Sequence, residues 1–427
     1  MITSFYIQNF RSILNLSLDF SYAEGKAPNH HTQTPIIPFL DKAGKRPLPC
    51  MAFFGANASG KTNLLKAFYT LKLLVSKGTE LSEAFETNLL NDKFPDCTFR
   101  LEFAIDDDLF EYQVCYNERR IKNESLKQND KHLFFINELE SAFSTKILTD
   151  HYSNEKLADI VRVECSDGEG NHTKLFLHRI GQAYLGLNAS LRRVFVFFRD
   201  RLDFYANQYP VLLPYAVNHF ASALGGDEKE ALRRITEIVR KLDIDITDIE
   251  ITEQAMSPDE QTRPSIMRVD SNTGARHSVQ IVTHHLDVNG KQAIFDFIKH
   301  ESAGTQRVAG LVGLMLYALE TGGVVLVDEL ECSLHPLLMR ELVLMFKKRR
   351  TNPKGAQLVI TTHNTDILDD STLRLSEIAL VRKTVANGTI IRRLTDIKND
   401  GEDIRNVTNF RKQYLAGFYS AIPHPAL

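Results

Sequence analysis

The chain has 427 residues, 43% hydrophobic and 25% charged, the balance of a globular protein with room for two or three domains or for one large α/β core carrying an insertion. Its 51 basic and 54 acidic residues leave a formal charge of −3, which excludes a global field drawing the molecule to nucleic acid but not a local patch. The five cysteines (Cys50, Cys97, Cys115, Cys165, Cys332) lack zinc-type spacing or a disulfide framework, and no apolar run has the length of a membrane helix, so a cytoplasmic protein with no membrane partner is expected.

Residues 2–7 (ITSFYI) and 15–20 (NLSLDF) alternate with period two and predict paired strands, without the basic-then-apolar layout of a signal peptide. Residues 23–48, rich in Pro, Gly, His and Thr, read as a loop. MAFFG (51–55) reads as a short buried strand entering a glycine turn, and TNLLKAFYTLKLLVSK as an amphipathic helix. Two alternating runs, 97–105 and 109–116, flank Asp106-Asp107-Asp108 and predict a hairpin. From about 120 to 275 the pattern predicts mostly helix, with charged faces, no internal repeat and no sustained heptads. HSVQIVTHHLDV, Asn289-Gly290 and KQAIFDFI then predict a second hairpin. The last third alternates helix (307–322), apolar strand (324–329), helix (335–350) and apolar strand (357–363), the pattern of a parallel sheet covered on both faces.

Three strand ends carry the chemistry. Gly55-Ala-Asn57-Ala-Ser59-Gly60-Lys61-Thr62 fits a phosphate-binding loop between strand and helix. Its glycines let backbone N–H groups wrap phosphates at a helix N-terminus, with Lys61 reaching the β- and γ-phosphates and Thr62 ligating Mg2+. VVLV followed by Asp328-Glu329 places two carboxylates at the C-terminal end of a buried strand. Asp328 there would hold Mg2+ and Glu329 would activate a water, the plainer alternative being an acidic cap for the next helix. QLVITT ends in His363, expected on the same sheet edge and able to bond a γ-phosphate. Between these lies Glu301-Ser302-Ala-Gly304-Thr305-Gln306-Arg307 ahead of an apolar helix. Alone, it reads equally as an N-cap through Ser302 or Thr305.

The ordered set GANASGKT, ESAGTQR, VVLVDE, SLHP (333–336) and TTH resembles the ABC-type ATPase heads of the SMC, RecF and OLD group over most of the chain. Within that group it is most similar to the stand-alone AAA-type ATPases of bacterial anti-phage and abortive-infection operons, such as the PARIS ATPase and the Rlo-type proteins. The resemblance implies an α/β P-loop NTPase with a mostly parallel central sheet, an N-terminal antiparallel β lobe (1–118), a mainly helical insertion (119–275) and a C-terminal lobe (276–427). It implies ATP and Mg2+ bound by Walker A residues Gly55, Asn57, Ser59, Gly60, Lys61, Thr62 and Asn63, with Thr62 and Asp328 on the metal, and with Glu329, His363 and Lys61 catalytic. Asn9-Phe10-Arg11 resembles the segment bordering the nucleotide, a surface turn being the alternative. Ser302, Gly304 and Thr305 would form a signature motif meeting ATP on a second copy, and Ser333 and His335 a D-loop along that interface. For the Q-loop glutamine, Gln113 and Gln182 both stand. The tail Tyr414-Leu-Ala-Gly417-Phe-Tyr419-Ser420-Ala-Ile-Pro423 departs from the family by Ser420 in place of glycine, and residues 372–380 lack the family's Arg-Asp-Gln.

The partners so implied are a second copy of the chain and an operon-encoded effector, with DNA or a phage protein as trigger. A RecF-like ATP-dependent DNA clamp in repair is the alternative function, which the small net charge disfavours. Three further signals are discounted. Asp243, Asp245 and Asp248 alternate with isoleucine like a solvated strand face. His284-His285 in a hairpin would point to opposite faces, and Lys347-Lys-Arg-Arg350 suits a helix C-terminus.

Overall fold

The computed structural model describes residues 1–22, 45–89, 94–147, 152–183, 188–206, 212–242, 245–255, 266–269, 276–332, 334–368, 371–384, 386–399, 402–403 and 410–416. Most of the expected 23–48 loop, Asp243, Ser333 and the Gly417–Pro423 tail lie outside them. The chain forms two compact units: Met1–Tyr205 with Gly322–Leu330 and Val343–Leu427, and Ala206–Thr321 with Glu331–Leu342.

The first unit is built on a 13-stranded sheet. In chain order its elements are β1 (Ile2–Phe10), β2 (Ile13–Asp19), β3 (Cys50–Phe54), α1 (Lys61–Lys77), α2 (Leu81–Ala84), β4 (Cys97–Ile105), β5 (Asp108–Tyr116), β6 (Ile121–Gln128), β7 (Lys131–Asn137), β8 (Ser141–Phe143), α3 (Asn154–Asp159), α4 (Phe176–Ala183), α5 (Ala189–Val196) and β9 (Leu202–Tyr205). The second unit supplies α6 (Leu213–Ala223), α7 (Glu228–Lys241), β10 (Asp248–Ala255), β11 (Ile266–Val269), β12 (Arg276–Leu286), β13 (Gln292–Asp296), α8 (Phe297–His300) and α9 (Ala303–Thr321). Then follow β14 (Val324–Val327), α10 (Pro336–Lys347), β15 (Gln357–Thr362), β16 (Ile378–Thr384) and β17 (Gly388–Arg393).

The large sheet runs β8-β7-β6-β5-β4-β1-β2-β17-β16-β3-β15-β14-β9. The fold is α/β, and its sheet is mixed. Among the described residues only β16, β3, β15, β14 and β9 are parallel, and the antiparallel lobe continues the same sheet through β2 and β17 rather than forming a separate layer. The burial patterns explain the division. Every residue of β3, β14 and β15 is buried, as strands covered on both faces require, whereas β1 and β5 alternate. On one side of the lobe α1 lays Phe68 against Phe5 (ring centroids 4.1 Å), and Phe99 packs on Phe5 and Phe10, within one aromatic core. The expected hairpin at Asp106-Asp107-Asp108 joins β4 to β5, with Asp106 in the left-handed region.

The 119–275 segment holds the helices α3 to α7, as expected, and with them strands that the sequence pattern did not announce. β6, β7 and β8 extend the N-terminal lobe, β9 closes the parallel end, and β10 and β11 flank β12 in a second sheet whose strand β13 also pairs with β12. Alternation was hidden in β6 by register shifts at Cys115/Tyr116 and Leu126/Lys127 and by a charged residue turned inward. That residue is Glu124, which is fully buried. Its carboxylate accepts from the Phe176 N–H (2.6 Å), the Leu177 N–H (2.9 Å) and the Tyr112 hydroxyl (2.9 Å), so a strand residue satisfies the first turn of α4.

Burial pushes the Glu124 carboxyl up to about 7, against the pull of its three donors. A folded-state value above the unfolded one means that the folded chain holds the extra proton. The associated stability is therefore full below about pH 4.5 and is lost as pH rises through about 7. Glu124→Gln removes this titration, so its urea midpoint is expected to fall less than that of the wild type between pH 5 and pH 8. Equal losses in the two proteins would contradict the assignment.

In the second unit α9 buries every residue from Arg307 to Leu319. Two glycines allow close packing there: a Cβ at Gly310 would lie 2.6 Å from the Leu212 side chain, and one at Gly313 2.7 Å from that of Ala216. The helix ends at Gly322, left-handed as a C-terminal stop requires. The hairpin of β12 and β13 turns at Gly290, also left-handed. Among the described residues no helix is long and apolar enough to cross a membrane.

Candidate nucleotide-binding site

Three adjacent parallel strands set the frame. Phe54 on β3 is level with Thr362 on β15, and Ile360 on β15 with Val327 on β14. Gly55, His363 and Asp328 therefore leave the sheet at the same edge, across roughly 10 Å from β3 to β14 at the usual strand spacing.

The loop between β3 and α1 is shaped by two glycines. A Cβ at Gly55 would lie 2.2 Å from the Val381 carbonyl oxygen of β16. Gly60 has φ 106°, and a Cβ there would lie 2.0 Å from Thr389 Oγ1. Ala58 is left-handed too (φ 59°), an uncommon state for a residue with a side chain. Gly60 is the N-cap of α1 and supplies no side-chain cap. Lys61 is buried, and its Nζ donates to the carbonyl oxygens of Gly55 (2.8 Å) and Ala56 (3.0 Å), which hold it across the loop. Ser59 Oγ is buried with no hydrogen-bond partner among the described residues, Asn57 is exposed, and Thr62 and Asn63 are half-buried in the first turn of α1. Gly60→Ala combines a disfavoured φ with the Thr389 contact, a strain on the order of 1–3 kcal/mol. It is expected to weaken ATP binding by about tenfold or more while leaving the fold intact. Unchanged affinity in a titration with a fluorescent nucleotide would contradict this shape requirement.

A polar chain that the sequence did not reveal braces the loop. Asn63 Nδ2 donates to Ser12 Oγ (2.7 Å), Ser12 Oγ shares a proton with Thr389 Oγ1 (2.7 Å), and Thr389 Oγ1 donates to the Ser59 carbonyl (3.1 Å). With Thr389 committed to Ser59, the donors run in one direction from Asn63 to the loop. Asn387-Gly388 carries a visible turn signal, but nothing local says that the turn abuts residue 60. Arg11 stands beside this chain. Left-handed at φ 49°, it pairs with Glu86 (2.5 Å) and reaches Asn63 Oδ1 at 3.5 Å. Asn9 instead ties down neighbouring chain: its Nδ2 donates to the Phe94 carbonyl (2.6 Å) and its Oδ1 accepts from the Asn88 N–H (3.1 Å).

At the end of β14, Asp328 is buried and accepts from the Thr361 hydroxyl (2.5 Å), while its N–H donates to the Tyr205 carbonyl of β9 (2.9 Å). Glu329 is left-handed (φ 50°), with its N–H on Thr361 Oγ1 (2.9 Å). The acid pair thus leaves the strand through a sharp backbone turn. His363 follows β15 directly and is half-buried. Of the two Q-loop candidates, Gln113 lies mid-strand in β5, and Gln182 donates to the Ser76 carbonyl at the end of α1 remote from the loop.

The signature candidates belong to the second unit. Ser302 is the N-cap of α9: its Oγ accepts from the Thr305 N–H (3.1 Å) and pairs with the Thr305 hydroxyl (2.9 Å), and its carbonyl accepts from the Gln306 N–H (3.0 Å). The Ser302 side chain is nonetheless exposed, and Gly304 is half-exposed in the first turn. The preceding Glu301 accepts from the Thr283 hydroxyl (2.5 Å) and lies 2.7 Å from His285 Nε2, so β12 holds the entry to the motif. His335, also in the second unit, is exposed and caps α10. Its Nδ1 accepts from the Leu337 N–H (3.3 Å), with Pro336 as the first helical residue. His284 faces Glu250 rather than Glu301, so the two adjacent histidines have different partners. Of the basic run 347–350, Lys347 is buried against Glu377 (2.5 Å) and the Thr372 carbonyl (2.6 Å), which leaves only Lys348, Arg349 and Arg350 exposed.

A family model described as "AAA domain, putative AbiEii toxin, Type IV TA system" matches residues 50–369. No curated protein matches the chain. Among solved structures, an SMC head bound to the C-terminal winged-helix domain of ScpA is similar at 13% identity and a TM-score of 0.45, over 92% of this chain and 98% of that one. The SMC head domain from Thermotoga maritima aligns at 12% identity and a TM-score of 0.37, over 93% and 99%. An SMC head with an extended coiled coil, bound to the C-terminal domain of ScpA from Pyrococcus furiosus, aligns at 10% identity and a TM-score of 0.41, over 92% and 96%.

Proposed function

The chain belongs to the AAA-domain family whose model spans its residues 50–369, and on that premise we propose that it binds and hydrolyses ATP, dimerises around the nucleotide and controls a separate effector, a nuclease or toxin, in bacterial anti-phage defence. One observation carries the ATPase reading: a glycine-shaped loop with a buried lysine, a buried carboxylate with a neighbouring glutamate, and a histidine leave three adjacent strands at one edge of the sheet.

The residues present fit a polyphosphate and a divalent cation. The loop excludes Cβ atoms at Gly55 and Gly60, and its buried Ser59 hydroxyl has no hydrogen-bond partner among the described residues. In this reading the backbone from Gly55 to Gly60 cradles the phosphates, with Asn57 and Ser59 in the loop and Arg11 and Asn63 at its border. Lys61 meets the β- and γ-phosphates. Thr62 and Asp328 hold Mg2+, which when bound offsets phosphate charge. Glu329 accepts a proton from the attacking water, and His363 hydrogen-bonds the γ-phosphate.

Ser302, Gly304 and Thr305 meet ATP held by a second copy, with Ser333 and His335 along that interface. Nucleotide bound between two copies favours the closed pair through its own binding free energy, and hydrolysis removes that bias. Three measurements test the proposal. Mg2+-dependent ATP turnover and an ATP-dependent doubling of mass in sedimentation are expected of the purified chain, and lack of turnover would remove the ATPase reading. Expression with and without the neighbouring operon gene during phage challenge is expected to protect only in the pair. Protection, or growth arrest, by the chain alone would remove the separate effector.

A further inference from the structure

The acid pair at Asp328 and Glu329 is held by Thr361, the first residue of the Thr361-Thr362-His363 run, which lies outside both the phosphate loop and the acid-pair motif. β15 lies between the strand carrying the phosphate loop and the strand carrying the acids, and Thr361, its penultimate residue, is fully buried there. The Thr361 hydroxyl has one proton and two lone pairs, and the surrounding atoms use both kinds of capacity. Its proton goes to Asp328 Oδ1 at 2.5 Å, and a lone pair takes the Glu329 N–H at 2.9 Å. Its carbonyl takes the Leu330 N–H at 3.1 Å. The Asp328 N–H is bonded on the other side, to Tyr205 of β9. The backbone from Asp328 to Leu330 is therefore pinned from both neighbouring strands just where it turns left-handed at Glu329.

We propose that Thr361 is the positioning residue of the acid pair: one hydroxyl orients the Asp328 carboxylate and holds the backbone turn that presents Glu329. The inference rests on the ATPase reading for its functional consequence. Threonine suits the task because its branched Cβ restricts χ1, so the hydroxyl is already aimed before the contacts form. Valine has nearly the same shape and no hydroxyl. It would leave a buried carboxylate oxygen and the Glu329 N–H each short of this partner. Serine restores the hydroxyl without the restriction.

Thr361→Val and Thr361→Ser in the full chain test this. In hydrogen exchange without nucleotide, the segment 328–332 is expected to exchange at least tenfold faster in Thr361→Val and near the wild-type rate in Thr361→Ser. In turnover, the Mg2+ concentration giving half-maximal rate is expected to rise by about 10- to 100-fold in the valine variant and by only a few-fold in the serine variant. Binding of a fluorescent ATP analogue in EDTA is expected to stay at the wild-type level, because the phosphate loop is untouched. Wild-type exchange and Mg2+ dependence in Thr361→Val would overturn the proposal, as would equal impairment of both variants, which marks a packing role. If the valine variant does not fold, Thr361→Ala is read against Thr361→Ser by the same criteria. A wild-type protein without turnover would sink the ATPase reading, and the exchange comparison would then decide the role of Thr361 alone.

Discussion

Glu329→Gln is expected to slow ATP turnover by about 10²- to 10⁴-fold and to leave nucleotide affinity at the wild-type level, the usual size of a lost general base. The geometry makes this substitution a clean one. Glutamine keeps the length and shape of glutamate but cannot take up a proton from water. The contacts that set the Glu329 backbone belong to its N–H and to Thr361, so they survive the change. The side chain also projects from a left-handed residue just beyond the sheet edge rather than from within the core, so the cost to stability should be small. A factor of 10² in rate corresponds to about 2.7 kcal/mol of transition-state stabilisation. Because binding survives while cleavage is slowed, the ATP-bound dimer is expected to persist in the variant long enough to be isolated by gel filtration. Wild-type turnover by Glu329→Gln would show that another group takes the proton.

What could be read from the sequence was what local pattern encodes. Continuous apolar strands announced β3, β14 and β15, and short motifs marked the glycine-shaped loop, the acid pair and His363 that follow them. The parallel order of those strands then follows from helices lying between them. Where the site depends on distant chain, the sequence was silent. Thr361 is one of two consecutive threonines at the end of a buried strand, and only the register of β15 against β14 shows which of them meets Asp328. Ser12 and Thr389 are 377 residues apart and carry no shared pattern, yet they form one link of the chain beneath Ser59.

The fold shows the same division. β6 was misread because two register shifts and the buried Glu124 break the period-two signal on which strand recognition depends. Its polarity is resolved only by α4, whose first N–H groups supply the partners that make a buried carboxylate tolerable. The segment at 300–307 illustrates a third case, in which two readings are compatible. Ser302 does cap α9, as its sequence allowed, and the same hydroxyl remains exposed at the N-terminus of a 19-residue helix. A cap needs only one lone pair of that oxygen, so capping does not decide whether the residue also serves a neighbour.

Mixing two inactive variants decides it. Lys61→Ala removes the amine proposed to meet the phosphates, and Ser302→Arg places a long cation where the proposed signature hydroxyl stands. Each is expected to abolish turnover, the second without loss of ATP binding. If each site takes Lys61 from one copy and Ser302 from the other, a mixed dimer collects both defects in one site and leaves the other site intact. Random pairing of equal amounts makes half of the dimers mixed, so turnover is expected to recover to about a quarter of the wild-type rate if the two sites act independently. Loss of the cap costs about 1 kcal/mol on its own and must be separated from loss of the interface contact. Ser302→Asp does so, because aspartate caps a helix as well as serine does but repels a phosphate. It is expected to match the wild type in thermal stability and Ser302→Arg in turnover, and to be rescued by Lys61→Ala in the same way. Mixtures that stay inactive, from variants shown by sedimentation to exchange subunits, would place Lys61 and Ser302 in the service of the same copy's nucleotide and remove the composite site.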